Sequence, residues 1–206
     1  TLDAQGCIDS DGDNFADVID SFPQEPTQWS DLDGDGFGDV FRGVDGDFCI
    51  NTAGSSFQDR NGCTDSDGDG WSDPDTNWRI LSGADAFPDE SSQHADSDYD
   101  GFGDNLEGFQ GDSCPNVQGT STIDVFGCLD SDGDGWSDTN DAFPEESSQY
   151  LDSDMDGYGD NTGGFQFDSC PQLFGNSTTP RFGCLDNDGD GWDNDADAFI
   201  DDSSEW

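Results

Sequence analysis

Apolar residues along this chain are sparse and lack the periodicity of regular secondary structure. No segment places apolar residues every three or four positions, and strand-like alternation never extends beyond a few residues. Gly and Asp fill the intervals at a density that favours turns. The pattern predicts a mostly irregular backbone, with at most single helical turns and two- or three-residue bridges. The longest apolar runs are a few residues, so no membrane span is expected.

The aromatic and polar positions instead reveal a long internal repeat. Four copies of an acidic string that opens with Gly-Cys start 56, 65 and 56 residues apart, at Gly6, Gly62, Gly127 and Gly183. Nine extra residues between Asp73 and Asp85 explain the longer interval. Such self-similarity is typical of tandem-repeat proteins. We therefore expect four units, 1–49, 50–114, 115–170 and 171–206, of which the first and last are partial and the second carries the insertion.

Each complete unit holds two kinds of acidic loop with the pattern D-x-D-x-D-G. First-type loops follow the Gly-Cys pair, and second-type loops read DLDGDGFGD, DSDYDGFGD and DSDMDGYGD. Alternate carboxylates converge when such a segment curls, and Gly permits the sharp turn. Calcium takes about 6–8 oxygen ligands, which an EF-hand-like loop supplies from positions 1, 3, 5, 7, 9 and 12. Seven such loops in register predict a calcium-binding chain, with one or two ions per loop.

The first-type loops supply nearly complete ligand sets. The predicted ligands, in which the aromatic residues contribute backbone carbonyls, are Asp9, Asp11, Asp13, Phe15, Asp17 and Asp20; Asp130, Asp132, Asp134, Trp136, Asp138 and Asp141; and Asp186, Asp188, Asp190, Trp192, Asn194 and Asp197. In the second unit, Asp65, Asp67, Asp69 and Asp73 fit, but position 12 is Thr76. Asp85 aligns with the closing Asp of the other units, so it is the candidate for closing that loop after the insertion.

The second-type loops are less complete. Positions 1, 3, 5 and 9 are Asp31, Asp33, Asp35 and Asp39; Asp96, Asp98, Asp100 and Asp104; and Asp152, Asp154, Asp156 and Asp160. Position 12 is Arg42, Glu107 or Gly163, of which only Glu107 is able to close its own loop. The other loops are expected to borrow an oxygen from elsewhere, for which the candidates are Asp45, Asp47, Asp112 and Asp168.

The net charge of the chain favours metal cations as partners and excludes nucleic acid. The 206-residue chain has 50 Asp or Glu, 4 Lys or Arg and a net charge of −46. A chain this acidic cannot compact without counter-charge, which must come from cations in solution. Nucleic acid is excluded as a partner because phosphate contacts need a basic patch. Magnesium is less favoured than calcium because it prefers fewer protein ligands. Zinc is less favoured because it prefers Cys and His, and the chain has one His.

The cysteines indicate an oxidising compartment. Three pairs have 13 intervening residues each, which predicts the disulfides Cys49–Cys63, Cys114–Cys128 and Cys170–Cys184. Cys7 is left over, and its partner is either a cysteine before the start of this sequence or a cysteine of another chain. Disulfides persist outside the cytosol, so an extracellular or cell-surface location is expected. Asn176 begins a glycosylation sequon, Asn176-Ser177-Thr178.

These motifs resemble thrombospondin type 3 repeats, in the variety found in bacterial surface proteins. The resemblance rests on DSDGDGWSD, on DAFPEESSQ before DSDMDGYGDN, and on the Asp-Ser-Cys-Pro strings at Asp112 and Asp168. It covers essentially the whole chain, although the 13-residue cysteine loops and the 56-residue double-loop unit depart from the family pattern. It implies an elongated tandem array stabilised by calcium and disulfides, used as a stalk or spacer in adhesins.

No enzyme is expected, because nothing in the sequence builds the apolar pocket that holds a catalytic acid neutral. Three interpretations remain open at the level of sequence. The chain is a calcium-rigidified spacer of a surface adhesin, a protomer of an extracellular calcium-stabilised filament, or a calcium-sequestering matrix protein. Its expected partners are calcium and either further copies of itself, arranged head to tail, or neighbouring repeats of a longer chain.

Overall fold

The computed structural model describes residues 5–206, and their backbone is almost entirely irregular. The one helix in this part of the chain is the three-residue 3-10 helix Ile80–Ser82, which lies in the insertion of the second unit. Instead of strands there are isolated parallel bridges, at Gly38 and Gly46, Gly103 and Gly111, Asp112 and Phe126, Asp168 and Phe182, and Thr179 and Trp192. The prediction of a loop-rich repeat fold is confirmed.

Three disulfides form as the cysteine spacing predicts. Cys49–Cys63, Cys114–Cys128 and Cys170–Cys184 join Cα atoms 5.0, 5.1 and 5.1 Å apart. Cys7 is exposed and lies outside these bridges. Each bridge closes a short loop, which stabilises the fold by about 3 kcal/mol in chain-entropy models.

The chain divides into two compact units. One comprises the described part of Thr1–Ser97 together with Gly103–Gly111, and the other comprises Asp98–Phe102 and Asp112–Trp206. The division into four repeats at 49, 114 and 170 concerns the sequence, and it stays a prediction.

The interior of both units is polar. Among the described residues, the buried hydrophobic side chains are only Ala16, Cys63, Ala84, Cys128 and Cys184. The largest fully buried side chains are three glutamines, Gln28, Gln93 and Gln149, each about 1% exposed. Buried polar groups need hydrogen-bond partners, so these glutamines must be paired to be tolerated.

The buried glutamines fasten each Phe-Pro linker to the second-type loop that follows it. In the third unit, the amide group of Gln149 donates to the carbonyl oxygens of Asn161 and Phe165, both at 3.1 Å, and its Oε1 accepts from Asn161 N at 2.9 Å. Gln28 and Gln93 make the equivalent three bonds in their units. A Cβ on Gly159 would lie 2.1 Å from Gln149 Oε1, so the backbone passes too close for any side chain there.

Aromatic stacking joins each first-type loop to the end of its linker. The side chain at position 7 lies parallel to the ring that follows the glutamine position, within 7° in all four units. The pairs are Phe15–Trp29, Trp71–His94, Trp136–Tyr150 and Trp192–Trp206, with ring centroids 5.0, 4.4, 4.7 and 6.4 Å apart. The sole histidine of the chain is therefore one member of a repeated aromatic pair.

Candidate metal centres

Each first-type loop is curled by hydrogen bonds from its own backbone to its own carboxylates. In the third unit, Gly133 N and Gly135 N donate to the two oxygens of Asp130 at 2.7 and 3.0 Å. Trp136 N donates to Asp134 Oδ1 at 2.8 Å. Both glycines have positive φ, 81° and 99°, a conformation that L side chains rarely adopt. The alternating Asp and Gly residues thus generate a curl that turns the remaining carboxylate oxygens inward.

The inward carboxylates gather at distances suited to one small cation. One ligand atom from each of three Asp residues lies within 4.8 Å of the others in Asp9–Asp11–Asp13, Asp31–Asp33–Asp35, Asp65–Asp67–Asp69 and Asp130–Asp132–Asp134. Acidic groups also cluster on protein surfaces without binding an ion, so the decisive question is whether their oxygens are otherwise satisfied.

Many of these oxygens are buried and have no hydrogen-bond partner. Among the described residues, such oxygens belong to Asp11, Asp13, Asp20, Asp33, Asp47, Asp67, Asp85, Asp132, Asp154, Asp168, Asp188 and Asp190. An anionic oxygen in this position carries an uncompensated desolvation cost. Hard divalent cations take oxygen donors of this kind, and calcium accepts the irregular geometry of a flexible loop. The donor set therefore fits calcium.

Asp85 occupies the closing place of the second unit in spite of the insertion. Its side chain is 1% exposed, its Oδ1 accepts from Phe87 N at 2.8 Å, and its Oδ2 has no partner. Asp20 is held in the same way by Phe22 N at 2.7 Å. Burial raises the pKa of Asp85 to about 7, and repulsion from Asp69 adds to the rise.

The insertion is anchored by Arg60 and Asp59, two residues of the preceding cysteine loop that also bond to Ser72 of the acidic loop. Arg60 forms an ion pair with Asp75 at 2.7 Å, and its guanidinium lies 5.3 Å from the centre of the Trp78 ring. Trp78 Nε1 donates to Asp59 Oδ2 at 2.9 Å. The hydrogen bond from Arg60 lowers the pKa of Asp75 to about 2. Thr76, which stands at position 12 in the sequence, is exposed.

In two second-type loops the structure distinguishes among the candidate closing residues. Asp45 is exposed, whereas Asp47 is completely buried, and Asp168 is 2% exposed. Asp47 Oδ1 accepts from Cys49 N at 2.6 Å, and Asp168 Oδ1 accepts from Cys170 N at 2.7 Å. Burial raises the pKa of both carboxyls to about 6, and the loop carboxylates, led by Asp35 and Asp156 respectively, raise it further.

The remaining second-type loop follows the same scheme. Glu107 is exposed, and its backbone N–H donates to Asn105 Oδ1 at 3.2 Å. Asp112 is 2% exposed, and its Oδ1 accepts from Cys114 N at 2.7 Å, as the equivalent residues do in the other units. Asp112 thus has the same local contact as Asp47 and Asp168, whereas Glu107 stays a prediction from sequence.

The Asp residues at position 9 have a hydrogen-bonding role that sequence patterns do not reveal. In the third unit, the two oxygens of Asp138 accept from Ser131 N at 2.7 Å and from Ser131 Oγ at 2.6 Å. The same pair of bonds joins Asp17 to Ser10 and Asp73 to Ser66. These contacts hold position 9 beside position 2. Position 9 of EF-hand loops often binds calcium through a water, which is compatible with this arrangement.

The predicted glycosylation sequon lies in the last cysteine loop, between Cys170 and Cys184. Asn176 is exposed, as a glycosylated residue must be, while Ser177 is fully buried and donates to the carbonyl of Arg181 at 2.8 Å.

Within residues 5–206, no helix has the length and apolar character needed to cross a bilayer. Comparisons with protein-family models and with curated proteins find no match.

Proposed function

We propose that this chain is an extracellular structural protein whose fold depends on bound calcium. The observation that carries the proposal is the repeated set of buried carboxylate oxygens without partners, in a chain of net charge −46. Only 4 basic residues are present, and two of them, Arg60 and Arg181, are engaged in ion pairs. The required positive charge must therefore be supplied by ions, one or two per loop.

Calcium in this role acts as part of the protein interior. The buried side chains are mainly Asp, Gln and Ser, so burial of apolar area contributes little to stability. A site that forms only in the folded chain converts binding free energy into folding free energy. Removal of calcium is therefore expected to unfold the loops, whereas the three disulfides persist.

The use that best fits these properties is a calcium-rigidified spacer or stalk of a surface adhesin. Disulfides indicate an oxidising, extracellular environment. The resemblance to thrombospondin type 3 repeats points to the same use. A tandem unit that gains rigidity from an ion abundant outside cells holds a binding domain away from the surface.

A filament protomer is the second candidate, and exposed apolar side chains favour it. Val18, Leu81 and Met155 are 85%, 80% and 82% exposed. Exposed apolar groups that adjoin one another are typical of association surfaces, and the exposed rings of Phe41 and Phe48 lie 4.7 Å apart. If this candidate is correct, calcium would promote assembly as well as folding.

The two candidates are separated by one titration. Oxidised chain is stripped with a chelator, calcium is added, and near-ultraviolet circular dichroism and light scattering are recorded together. A spacer orders its stacked aromatic rings at constant monomer mass. A filament protomer shows a calcium-dependent rise in mass that the chelator reverses. Absence of ordering at millimolar calcium would contradict both.

A further inference from the structure

In every complete unit, a backbone N–H group of the disulfide-bridged loop donates to the second-type loop, and the N–H group of its first cysteine donates to the candidate closing carboxylate two residues before it. In the third unit, Gly175 N donates to Asp156 Oδ2 at 3.0 Å, and Cys170 N donates to Asp168 Oδ1 at 2.7 Å. The equivalent bonds in the other units are Gly54 N to Asp35 and Cys49 N to Asp47, and Gly119 N to Asp100 and Cys114 N to Asp112. A predicted position-5 ligand and the buried closing carboxylate are thus both held by the cysteine loop.

The disulfide keeps that cysteine loop closed around the carboxylate. Asp168 N donates to Gly159 O at 2.7 Å, and Ser169 N donates to Phe182 O at 2.9 Å. Gly183 is so close that a Cβ there would lie 2.2 Å from Asp168 Oδ1. The two flanking cysteines, Cys170 and Cys184, are the bridged pair. Asp168 therefore lies between the second-type loop and a segment whose position the disulfide fixes.

First-type loops contact the cysteine loops in a different way, through a backbone carbonyl: Gly135 O accepts from Thr122 N and Ile123 N, both at 2.9 Å. Asp141 Oδ1 accepts from Phe143 N at 2.6 Å, which belongs to the Phe-Pro linker. The loop that starts at Asp9 shows the same internal bonds, from Gly12 N to Asp9 at 2.6 Å and from Phe15 N to Asp13 at 2.8 Å. Its neighbour Cys7 lies outside the three disulfides. The backbone N–H groups of the cysteine loops thus donate to carboxylates in the second-type loops, whereas in the first-type loops they donate to a backbone carbonyl.

We propose that calcium occupancy of each second-type loop and the oxidation state of the adjacent disulfide are reciprocally linked. A dithiol reductant breaks the bridge by forming a mixed disulfide through one thiolate. Its second thiol then displaces the remaining cysteine, so the protein gains two electrons and two protons as two thiols, and the reductant becomes a cyclic disulfide. The opened segment no longer presents the closing carboxylate, and calcium binding weakens. By linkage, bound calcium opposes reduction by the same factor.

The inference rests on the proposed calcium binding, and a site-resolved titration tests it. In the double variant Cys170→Ser/Cys184→Ser, the amide signal of Gly157 should need about tenfold more calcium to reach its bound position, a typical coupling between two sites. Gly36 lies in the second-type loop next to Cys49–Cys63, a bridge that this variant keeps. The calcium midpoint of its amide signal should therefore match that of the wild type. Equal midpoints for Gly157 in variant and wild type would overturn the linkage.

A second measurement needs no cysteine variant, so it does not depend on that variant folding. Wild-type protein is equilibrated in mixtures of reduced and oxidised dithiothreitol, alkylated and analysed by mass spectrometry, with and without calcium. Calcium should raise the ratio of reduced to oxidised dithiothreitol that half-reduces Cys170–Cys184 about tenfold. Asp168→Asn should lose that protection but keep it at Cys49–Cys63, and exposed Asp201→Asn should behave as wild type.

The outcomes separate the two proposals. A reduction midpoint of Cys170–Cys184 that is the same with and without calcium, in protein that demonstrably binds it, overturns the linkage alone. Protection of Cys170–Cys184 that survives in Asp168→Asn also overturns the linkage, because the closing carboxylate would then not carry it. Absence of any calcium-induced shift in the wild type at Gly157 and Gly36 overturns the proposed function as well.

Discussion

Replacement of Gln149 by leucine tests whether a polar clamp holds the third unit together. The side chain is 1% exposed and makes three hydrogen bonds, two donated to the carbonyls of Asn161 and Phe165 and one accepted from Asn161 N. Leucine is of similar size but can make none of them. At about 1 kcal/mol for each net hydrogen bond, the loss is about 3 kcal/mol. The effect should be confined to the segment between Asp160 and Asp168.

Amide hydrogen exchange in saturating calcium measures this loss locally. Asp168 N donates to Gly159 O at 2.7 Å, so its exchange reports opening of the segment that Gln149 secures. A loss of about 3 kcal/mol corresponds to roughly 100-fold faster exchange where local opening dominates. The matched control is Gln172→Leu, since the side chain of Gln172 is exposed and donates to the neighbouring Pro171 carbonyl. Exchange within about threefold of the wild type in Gln149→Leu would refute the clamp.

Two further predictions concern the carboxylates. Asp85→Asn should raise the calcium concentration at the midpoint of the Gly70 amide shift about tenfold, because a charged ligand is lost. Asp89 is exposed, so Asp89→Asn should leave this midpoint unchanged. Equal effects of the two variants would exclude Asp85 as a ligand. Asp85 has a pKa raised to about 7, and Asp47 and Asp168 have pKa values raised to about 6. An Asp in the unfolded chain has a pKa near 3.8 and is ionised above that pH. In the folded, calcium-free chain, these three carboxyls still hold their protons at such pH values. Their contribution to metal-free stability is therefore present below about pH 4 and is lost as the pH rises through about 6 to 7. Because this contribution is lost near neutral pH, the chelated chain should be least ordered above about pH 7 and should gain order as the pH falls toward about 4. Near-ultraviolet circular dichroism of the chelated chain at about pH 4 and about pH 7 measures the gain. Identical spectra at the two pH values would contradict the raised pKa values.

The local parts of the candidate sites could be predicted from sequence because their determinants are local. The spacing of Asp and Gly fixes which oxygens turn inward, as Asp130 and Asp134 show. Asp85 was identifiable after the insertion because the Ala-Phe-Pro that follows it also follows Asp141. The disulfides followed from constant cysteine spacing, and the irregular backbone followed from the lack of apolar periodicity.

The remaining features depend on contacts that the sequence does not encode locally. Asp45 and Asp47 are the same residue type two positions apart, and only the chain path buries one of them. The clamp role of Gln149 needs carbonyls that lie 12 and 16 residues further along the chain. Its one sequence signal is the recurrence of glutamine eight residues after each closing Asp in three units, a regularity that has no meaning until the backbone around Gly159 is known.

The most direct test of the central claim is an amide NMR spectrum of the oxidised chain recorded with chelator, with magnesium and with calcium. We expect a collapsed spectrum with chelator, dispersed signals with calcium, and little dispersion with magnesium, which fits these flexible oxygen sites poorly. The glycines of the acidic loops, such as Gly133 and Gly135, should move furthest when calcium is added. A fully dispersed spectrum in chelator, unchanged by calcium, would show that the fold stands without the ion and would contradict the account.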